Sequence, residues 1–376
     1  MISKQFLNSN GINKIFLLGD LHLGIRNNSL EWSTIQYEYL VNDFIANIDS
    51  HGFNAETDIL FLMGDWHHVR ESTNVRIWDL TLNICEKLCE KFKKGVYVII
   101  GNHDSYYKDR TDVHSLLGMD RIFDNFTIFT DPTHIKINSH DILMLPWVES
   151  IDRLKTVINQ NQICDYVFCH ADINGFSLTP VTKIEYGLDS QELQQFKRIY
   201  SGHIHIRQSN NNILYVGTPY EMDRGDRLNS KGFHILDVSS NNIVETFVEN
   251  KTSPRHLKYS LFDILEMSLP KINELFSNNF IDIVLDSSII PDFQLSKFTE
   301  IVKNFKHRRL EFFTNLEEKK EFEITDSKNE NYDYNIFLIL TDQIKAMNLS
   351  DTKSAEVSKY FKEIHESIKN NKKYEQ

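Results

Sequence analysis

Residues 98–104 of this chain read Val-Ile-Ile-Gly-Asn-His-Asp. A short β-branched run of this kind is typical of a strand that is buried on both faces of a sheet. Three polar side chains follow the glycine directly. Asn102 offers a neutral carbonyl ligand, His103 offers an imidazole, and Asp104 offers a carboxylate that can orient the imidazole through its second nitrogen. The stretch therefore predicts a buried strand whose carboxyl end carries metal chemistry.

Four further apolar runs end in the same way, directly before a potential metal ligand. They are LLGDLH (17–22), FLMGDW (61–66), VFCH (167–170) and IYSGHIH (199–205). Between the runs lie helix candidates at about 31–49 and about 74–92. Alternating strands and helices predict a layered α/β architecture, in which sites form outside the carboxyl ends of the strands. Potential ligands at the ends of five strands therefore predict a single metal site.

The spacing of the candidate ligands suits a metal cluster. Asp20 and His22 are separated by one residue, as are His203 and His205. In an extended segment, residues at this spacing project to the same side and can face one cluster. Asp65 follows a glycine at a strand end, where its carboxylate could bridge two cations. Each signal is weak when taken alone, because short motifs of this kind also occur in surface loops.

His170 closes the fourth strand, and taken alone it would suit a hydrogen-bonded core position as well as a metal site. The full donor set mixes carboxylate, amide and imidazole groups, which favours two divalent ions, Mn²⁺ first, with Mg²⁺, Fe or Zn as alternatives. The four cysteines form no C-x-x-C pair. A structural zinc site and a disulfide framework are therefore not expected, and the cytoplasm is the simplest compartment.

The overall composition is that of an ordinary globular protein. The chain has 376 residues, 41% of them hydrophobic, and 41 basic against 53 acidic residues give a net charge of −12. No apolar run reaches the roughly 18–20 residues of a membrane helix, and the N-terminus lacks the pattern of a secretory signal. The acidic balance argues against a protein that coats nucleic acid, but it leaves room for local binding beside bound cations.

We expect three regions along the chain. Residues 1–250 carry all the ligand motifs, and residues 251–325 lack them and predict a smaller domain. A polar stretch at about 326–334 predicts a linker within the last region, 326–376. A helix is predicted at about 352–369, where Val357, Phe361, Ile364 and Ile368 form an apolar stripe. That helix could pack on its own domain or dock on a partner.

The five motifs occur in the order D-x-H, G-D, G-N-H-D, H and G-H-x-H, and in this order the sequence resembles the calcineurin-like metallophosphoesterases. The resemblance implies a layered β-sandwich flanked by helices, with a smaller α+β capping domain and C-terminal helices. It implies one metal held by Asp20, His22, Asp65 and His205. The second would be held by Asp65, Asn102, His170 and His203, with Asp65 as the bridge.

Details between the motifs narrow the resemblance. Protein Ser/Thr phosphatases carry G-D-x-V-D-R-G and G-N-H-E, whereas this chain has GDWHHVR at 64–70 and ends its third motif in Asp104. The segments LPW (145–147), CHADINGF (169–176), YVGTPYEMDRGD (215–226) and KGFHILD (231–237) resemble the SbcD-type nucleases of double-strand-break repair, in particular those of T-even-like phages. The resemblance covers roughly residues 13–240 and weakens beyond 250.

This narrower resemblance implies a nuclease of DNA repair and recombination with exonuclease or endonuclease activity. His103 would act at the scissile phosphate, Asp104 would orient it, and His68 would be a second functional histidine. His67 stands beside His68, and the sequence leaves open which of the two faces DNA. The family also implies a homodimer and a coiled-coil ATPase of the SMC type, bound by the C-terminal helices of the region 326–376.

Basic and aromatic residues near the motifs are candidate DNA contacts. They are Tyr106, Tyr107, Lys108 and Arg110 after the third motif, and Arg70 and Arg76 after the second. Such side chains can stack on bases or touch phosphates, although a solvated loop would carry them too. Two rival functions stay open at this point. One is a phosphatase or nucleotidase that acts on a small monoester with the same metals, and the other is an inactive scaffold for the ATPase.

Overall fold

The computed structural model describes residues 8–180, 182–285, 298 and 305–314. Its strands lie in three sheets. In chain order the strands are β1 (Asn8–Ser9), β2 (Lys14–Leu18), β3 (Ile59–Leu62), β4 (Val96–Ile99), β5 (Phe126–Phe129), β6 (Thr133–Ile137), β7 (His140–Leu145), β8 (Tyr166–His170), β9 (Arg198–Gly202), β10 (Gln208–Asn210), β11 (Ile213–Tyr215), β12 (Gly232–Asp237), β13 (Val244–Glu249), β14 (His256–Ser260), β15 (Phe280–Leu285) and β16 (Arg309–Thr314).

The helices lie mainly outside the sheets. They are α1 (Ile25–Asn28), α2 (Leu30–Tyr37), α3 (Ile45–Asn47), α4 (Val75–Lys91), α5 (Met119–Ile122), α6 (Ile151–Gln160), α7 (Leu261–Leu265) and α8 (Leu269–Phe276). A π-helical segment, Glu38–Phe44, joins α2 to α3, and a 3₁₀ turn, Ile48–His51, follows α3. Of the helices in the described ranges, none has both the length and the apolar character to cross a membrane.

The longest helix, α4, shows how the sequence determines an element. Asn74 caps its first turn by accepting a hydrogen bond from the backbone N–H of Arg76 at 2.9 Å, which satisfies one of the donors left open at a helix start. Ile77, Ile84 and Leu88 are buried on one stripe at helical spacing. The helix therefore spans the predicted range of about 74–92 and packs one face against the sheet.

The first sheet has six strands in the order β13-β12-β2-β3-β4-β5, and β2 to β5 run parallel. Alternate residues of β2 face opposite sides. Phe16 and Leu18 join the cluster that also contains buried residues of α2 and α4, while Ile15 and Leu17 join a cluster on the other face. Burial on both faces explains why these strands read as continuous apolar runs.

The second sheet has seven strands in the order β1-β6-β7-β8-β9-β11-β10. Its strands β7, β8, β9 and β11 are parallel neighbours. One face meets the first sheet, where the rings of Phe61 and Phe168 lie 5.1 Å apart. The other face shares a cluster with Leu154 and Ile158 of α6. The result is two mixed sheets with helices outside both of them, which confirms the predicted layered α/β sandwich.

A third sheet follows residue 255 and consists of the parallel strands β14, β15 and β16. Buried residues of α7, α8 and β15 form a separate cluster beside it. The sheet contacts the first part of the chain through Trp32, whose ring stacks on Phe280 at 5.7 Å. The boundaries expected at 250 and 325 stay predictions. The expected linker and the expected helix at about 352–369 lie outside the described residues.

Candidate metal centre

Parallel pairing brings the ends of the motif strands to a common edge. In the first sheet, Leu18 pairs with Leu62 and Leu62 with Val98, so β2, β3 and β4 end side by side. In the second sheet, His170 pairs with Gly202 at the ends of β8 and β9. All seven predicted ligands follow or end these five strands, and ligands from the two sheets contact each other there.

One group of ligands lies around His22. The carboxylate of Asp20 and the imidazoles of His22 and His205 each place one ligand atom within 4.8 Å of the others. The Nε2 atoms of His22 and His205 are 3.0 Å apart. Asp65 adds a carboxylate oxygen 3.5 Å from Nε2 of His22. The structure therefore brings together the four residues of the first predicted set.

A second group shares Asp65 with the first. Asp65, His170 and His203 again lie within 4.8 Å of one another. The amide oxygen of Asn102 is 2.9 Å from Nε2 of His170 and 2.9 Å from Nδ1 of His203. The other carboxylate oxygen of Asp65 is 3.4 Å from Nε2 of His170. Its two oxygens thus face different groups, which is the arrangement a bridging carboxylate needs.

The backbone at the cluster is tightly packed and strained. His22, Asp65 and His203 adopt positive φ angles of 49°, 51° and 82°, a region that side chains other than glycine seldom occupy. A Cβ atom on Gly64 would lie 2.5 Å from Nδ1 of His170, and one on Gly101 would collide with the Asp65 carboxylate. The glycines before the ligands are therefore needed for the close approach of the loops.

The charges of three ligands, His22, His205 and Asp65, suit cations. Burial lowers the pKa of His22 well below its usual range and that of His205 to about 4, which keeps both imidazoles neutral and able to coordinate. Burial alone would raise the pKa of Asp65, but the nearby His170, with a smaller effect from His103, holds it well below its usual range. Asp65 is thus a buried carboxylate anion at the centre of the cluster.

The carboxylate of Asp20 provides a direct test of fit. Its Oδ2 atom accepts the backbone N–H of His203 at 2.9 Å, while its Oδ1 atom is buried and has no hydrogen-bond partner. A buried polar atom without a partner costs about 1–3 kcal/mol, and a divalent cation would remove that cost. The donor set and this orphaned oxygen both fit a two-metal site.

His103 lies at the edge of the cluster and is half-buried. Its ring is 4.9 Å from the ring of His22. Its backbone N–H donates to Asp65 at 2.8 Å, and its Nδ1 lies 2.7 Å from the backbone carbonyl of His68. That carbonyl accepts a hydrogen bond only if Nδ1 carries the proton, so the contact sets the tautomer. The structure thus gives the ring a backbone carbonyl where the resemblance implied the carboxylate of Asp104.

Asp104 instead holds the turn that carries His103. It is fully buried, and its oxygens accept the backbone N–H groups of His67 at 3.0 Å and Gly101 at 3.1 Å. Burial, with a smaller contribution from Asp65, raises the pKa of Asp104 to about 6. We interpret Asp104 as a residue that shapes the third motif.

The structure separates the two histidines that the sequence left ambiguous. His67 is buried between the hydroxyl groups of Ser115 and Thr81, at 2.7 Å and 2.8 Å. His68 is more exposed, and its Nδ1 lies 3.3 Å from Nδ1 of His22. Its ring is nearly parallel to that of His103, with centroids 5.4 Å apart. His68 therefore faces the cluster, and His67 belongs to the core.

Several residues that sequence reasoning missed support the ligands. The side chain of Gln36 donates to the carbonyls of Leu21 and His22 at 2.9 Å and 3.0 Å. Asp172 lies 2.8 Å from Nε2 of His203. The ammonium group of Lys231 donates to the carbonyl of His205 at 2.7 Å. Only Asp172 had a visible signal, because it follows His170 at the same i, i+2 spacing as Asp20 and His22.

Five of the candidate DNA contacts lie in the loops that follow the second and third motifs, and Arg76 lies in the first turn of α4. The side chains of Tyr106 and Tyr107 are 49% and 38% exposed, and the Arg110 guanidinium lies 3.9 Å from the Tyr107 ring centroid. Lys108 is exposed and Arg70 is half-buried. The remaining candidate, Arg76, is exposed and donates to the carbonyl of Asn28. Trp66, by contrast, is buried against Phe126.

Comparison with known proteins identifies the family of the chain. The family model of the calcineurin-like phosphoesterases matches residues 13–235, which is more than half of the chain. The chain is also similar to exonuclease subunit 1 of Enterobacteria phage T4, with 25% identity over 252 residues, which cover 65% of this chain and 70% of that protein. The predicted enzyme class, a metal-dependent phosphodiesterase, is thereby confirmed. The chain belongs to the calcineurin-like phosphoesterase family.

Proposed function

We propose that this protein is a two-metal nuclease that hydrolyses phosphodiester bonds in DNA during repair and recombination. The observation that carries the proposal is the convergence of seven ligands into two groups that share Asp65, with His103 at their edge. The similarity to a phage exonuclease subunit supports DNA as the substrate. A coiled-coil ATPase partner, a homodimer and partner-binding C-terminal helices are parts of the same proposal.

The distances support two ion sites. Asp20, His22, Asp65 and His205 would hold one divalent ion. Asn102, His170 and His203 would hold the second together with Asp65. When bound, such ions, with Mn²⁺ preferred, polarise the phosphate and lower the pKa of the attacking water. The protein's part is to hold these ligands in a rigid, largely buried frame.

His103 is suited to proton transfer at the scissile phosphate. The His68 carbonyl occupies Nδ1 at 2.7 Å, so the opposite nitrogen, Nε2, is the one that can exchange a proton with a substrate. A protonated Nε2 would donate to the leaving 3′ or 5′ oxygen, or stabilise the charge that develops on the phosphate. The nearly parallel ring of His68 limits the orientations open to His103.

DNA would approach over the loop that follows the third motif. Tyr106 and Tyr107 are exposed there and offer aromatic faces on which bases can stack. Lys108 and Arg110 are exposed beside them and can contact phosphates. The chain as a whole is acidic, so we propose that DNA is bound locally by these groups and by the cations.

The test is a substrate comparison. Labelled linear duplex DNA, single-stranded DNA and nucleotide monoesters are incubated with the full chain in Mn²⁺ and in Mg²⁺, with and without the ATPase partner. We expect cleavage of DNA, and Asp65→Ala is the matched inactive control. Turnover of monoesters without cleavage of DNA would show a phosphatase or nucleotidase instead. Absence of all hydrolysis in every condition would favour an inactive scaffold.

A further inference from the structure

The imidazole of His203 is held from both sides. Its Nδ1 lies 2.9 Å from the amide oxygen of Asn102, on the side of the cluster, and its Nε2 lies 2.8 Å from Oδ1 of Asp172. The side chains of His203 and Asp172 are only 12% and 15% exposed. The ring of Trp147 packs against His203 with centroids 5.1 Å apart. The imidazole can therefore present only Nδ1 to a cation.

The carboxylate of Asp172 determines which nitrogen of His203 has a lone pair. In the neutral imidazole, Asp172 accepts the proton on Nε2, which places the lone pair on Nδ1, where a metal ion can use it. His170 is oriented differently. Its Nδ1 lies 2.7 Å from the backbone carbonyl of Met63, a neutral acceptor. The two imidazoles of one proposed ion site are thus oriented by a charged and a neutral group.

Asp172 is itself fixed by the surrounding fold. The hydroxyl group of Tyr215, in β11, donates to the carbonyl of Ala171 at 2.8 Å and accepts the backbone N–H of Ile173 at 2.9 Å. The two residues that flank Asp172 are therefore clamped by one buried side chain. The backbone N–H of Leu188 donates to the carbonyl of Asp172 at 3.0 Å. Contacts on both sides and from a distant loop therefore fix the backbone position of Asp172.

We propose that Asp172 is a positioning residue that tunes the affinity of the ion site formed by Asp65, Asn102, His170 and His203. The proposal deepens the proposed function and rests on its two-metal site. Carboxylates that hold a ligating histidine in this way typically change metal affinity by about 10–100-fold. Because only His203 contacts Asp172 among the seven ligands in the described part of the chain, the effect should be confined to one of the two ions.

The experiment measures binding of Mn²⁺ alone to the metal-free full chain by calorimetry, for the wild type, Asp172→Ala, Asp172→Asn and Asp172→Glu. We expect two equivalents in the wild type. In Asp172→Ala, one equivalent should bind about 10–100-fold more weakly and the other should be unchanged. Asp172→Asn should show a smaller loss, because its amide oxygen can still accept the proton, and Asp172→Glu should recover part of the affinity.

Two further measurements exclude a merely structural role. The thermal unfolding of metal-free Asp172→Ala should stay close to that of the wild type, and the Mn²⁺ spectrum of the protein loaded with one equivalent should be unchanged. Asp124→Asn, which removes a carboxylate from an exposed turn, is the matched charge control and should bind both equivalents normally. Unchanged binding in Asp172→Ala, or equal weakening of both equivalents with a lowered unfolding temperature, would overturn the proposal.

These results do not depend on DNA cleavage. A wild type that binds two equivalents but cleaves no DNA would remove the proposed substrate and leave the role of Asp172 standing. If the wild type cleaves DNA and Asp172→Ala binds Mn²⁺ normally, the proposed substrate stands and the role of Asp172 is removed. A wild type that binds fewer than two equivalents would overturn both proposals.

Discussion

Individual residues at the cluster are held in conformations that an ordinary loop would avoid. His22, Asp65 and His203 have positive φ angles, and each such residue costs on the order of 1–3 kcal/mol. The surrounding contacts compensate for this cost. The backbone N–H of His203 donates to Asp20, and that of His103 donates to Asp65. The strained backbone thus orients both carboxylates into the cluster. It places negative charge there at a cost in folding stability.

The contacts of His103 give a prediction that separates chemistry from metal binding. His103→Ala should bind Mn²⁺ with the affinity and stoichiometry of the wild type, because Nδ1 of His103 is held by the His68 carbonyl and its side chain belongs to neither of the two ion sites proposed above. Turnover on DNA should fall by about 10²–10⁴-fold, the usual contribution of a positioned acid or base. Calorimetry with Mn²⁺ and single-turnover cleavage of labelled DNA measure the two effects.

Asp65→Ala is the matched control for that variant. Its carboxylate faces both groups of ligands, so its loss should remove both equivalents of Mn²⁺ together with activity. If His103→Ala lost bound metal to the same extent as Asp65→Ala, the assigned role of His103 would be wrong. An Asp65→Ala protein that still bound two equivalents would contradict the bridge.

The residues of the site were predictable to the extent that they lie in local motifs. The seven proposed ligands all follow apolar runs directly, so the order of the chain revealed them. Asp172, Gln36 and Lys231 were not predicted, because their partners lie 31, 14 and 26 residues away in the chain. Contacts of this kind depend on how strands pair and loops pack, which short motifs do not encode.

At the scale of elements, the sequence predicted the central strands well and the first long helix only in part. The range of about 31–49 forms α2, a π-helical segment and α3 in succession. In the π segment the N–H of Ile45 bonds to the carbonyl of Leu40, five residues earlier. Tyr39 and Phe44 are both buried and are also five residues apart. This gap of five residues is wider than the three- or four-residue spacing of an ordinary α-helical stripe.

Strand β15 carries a buried carboxylate that joins the third sheet to the rest of the described chain. Asp282 is 2% exposed, and its carboxylate accepts a hydrogen bond from Nε of Arg224 at 2.7 Å. Arg227 and Arg309 form ion pairs with the same carboxylate. Asp282→Asn should lower the free energy of unfolding by about 1–3 kcal/mol, because it removes the buried charge shared by three guanidinium groups while Glu311 still pairs with Arg224 and Arg309. Urea unfolding of the metal-free protein measures the change.

An exposed ion pair in the same region is the control for that prediction. Glu274 pairs with Lys271 on α8, where their side chains are 70% and 50% exposed. Glu274→Gln should therefore change the free energy of unfolding by less than about 1 kcal/mol. Equal effects of Asp282→Asn and Glu274→Gln would show that the buried cluster does not stabilise the attachment of the third sheet.

At the scale of the whole molecule, a cavity of about 470 Å³ lies where the third sheet meets the rest of the described chain. Glu221 lines it and is 8% exposed. Its carboxylate accepts the backbone N–H of His256, the first residue of β14, at 2.6 Å. Burial raises the pKa of Glu221 from 4.5 to about 7. An acid with this environment makes the stability of the molecule depend on pH close to neutrality.

Between pH 4.5 and 7 the folded protein keeps the proton on Glu221, whereas the unfolded chain has lost it. The folded state therefore binds more protons in this window, and its stability falls as the pH rises. Glu221→Gln keeps an oxygen that accepts the N–H of His256 but has no proton to lose. The free energy of unfolding should therefore fall by about 1–3 kcal/mol less with rising pH in this variant than in the wild type. Urea unfolding of the metal-free proteins at pH 5 and pH 8 measures it. Glu249→Gln, at the exposed rim of the cavity, is the control and should keep the wild-type dependence of unfolding free energy on pH. The same dependence in Glu221→Gln would refute the role assigned to Glu221.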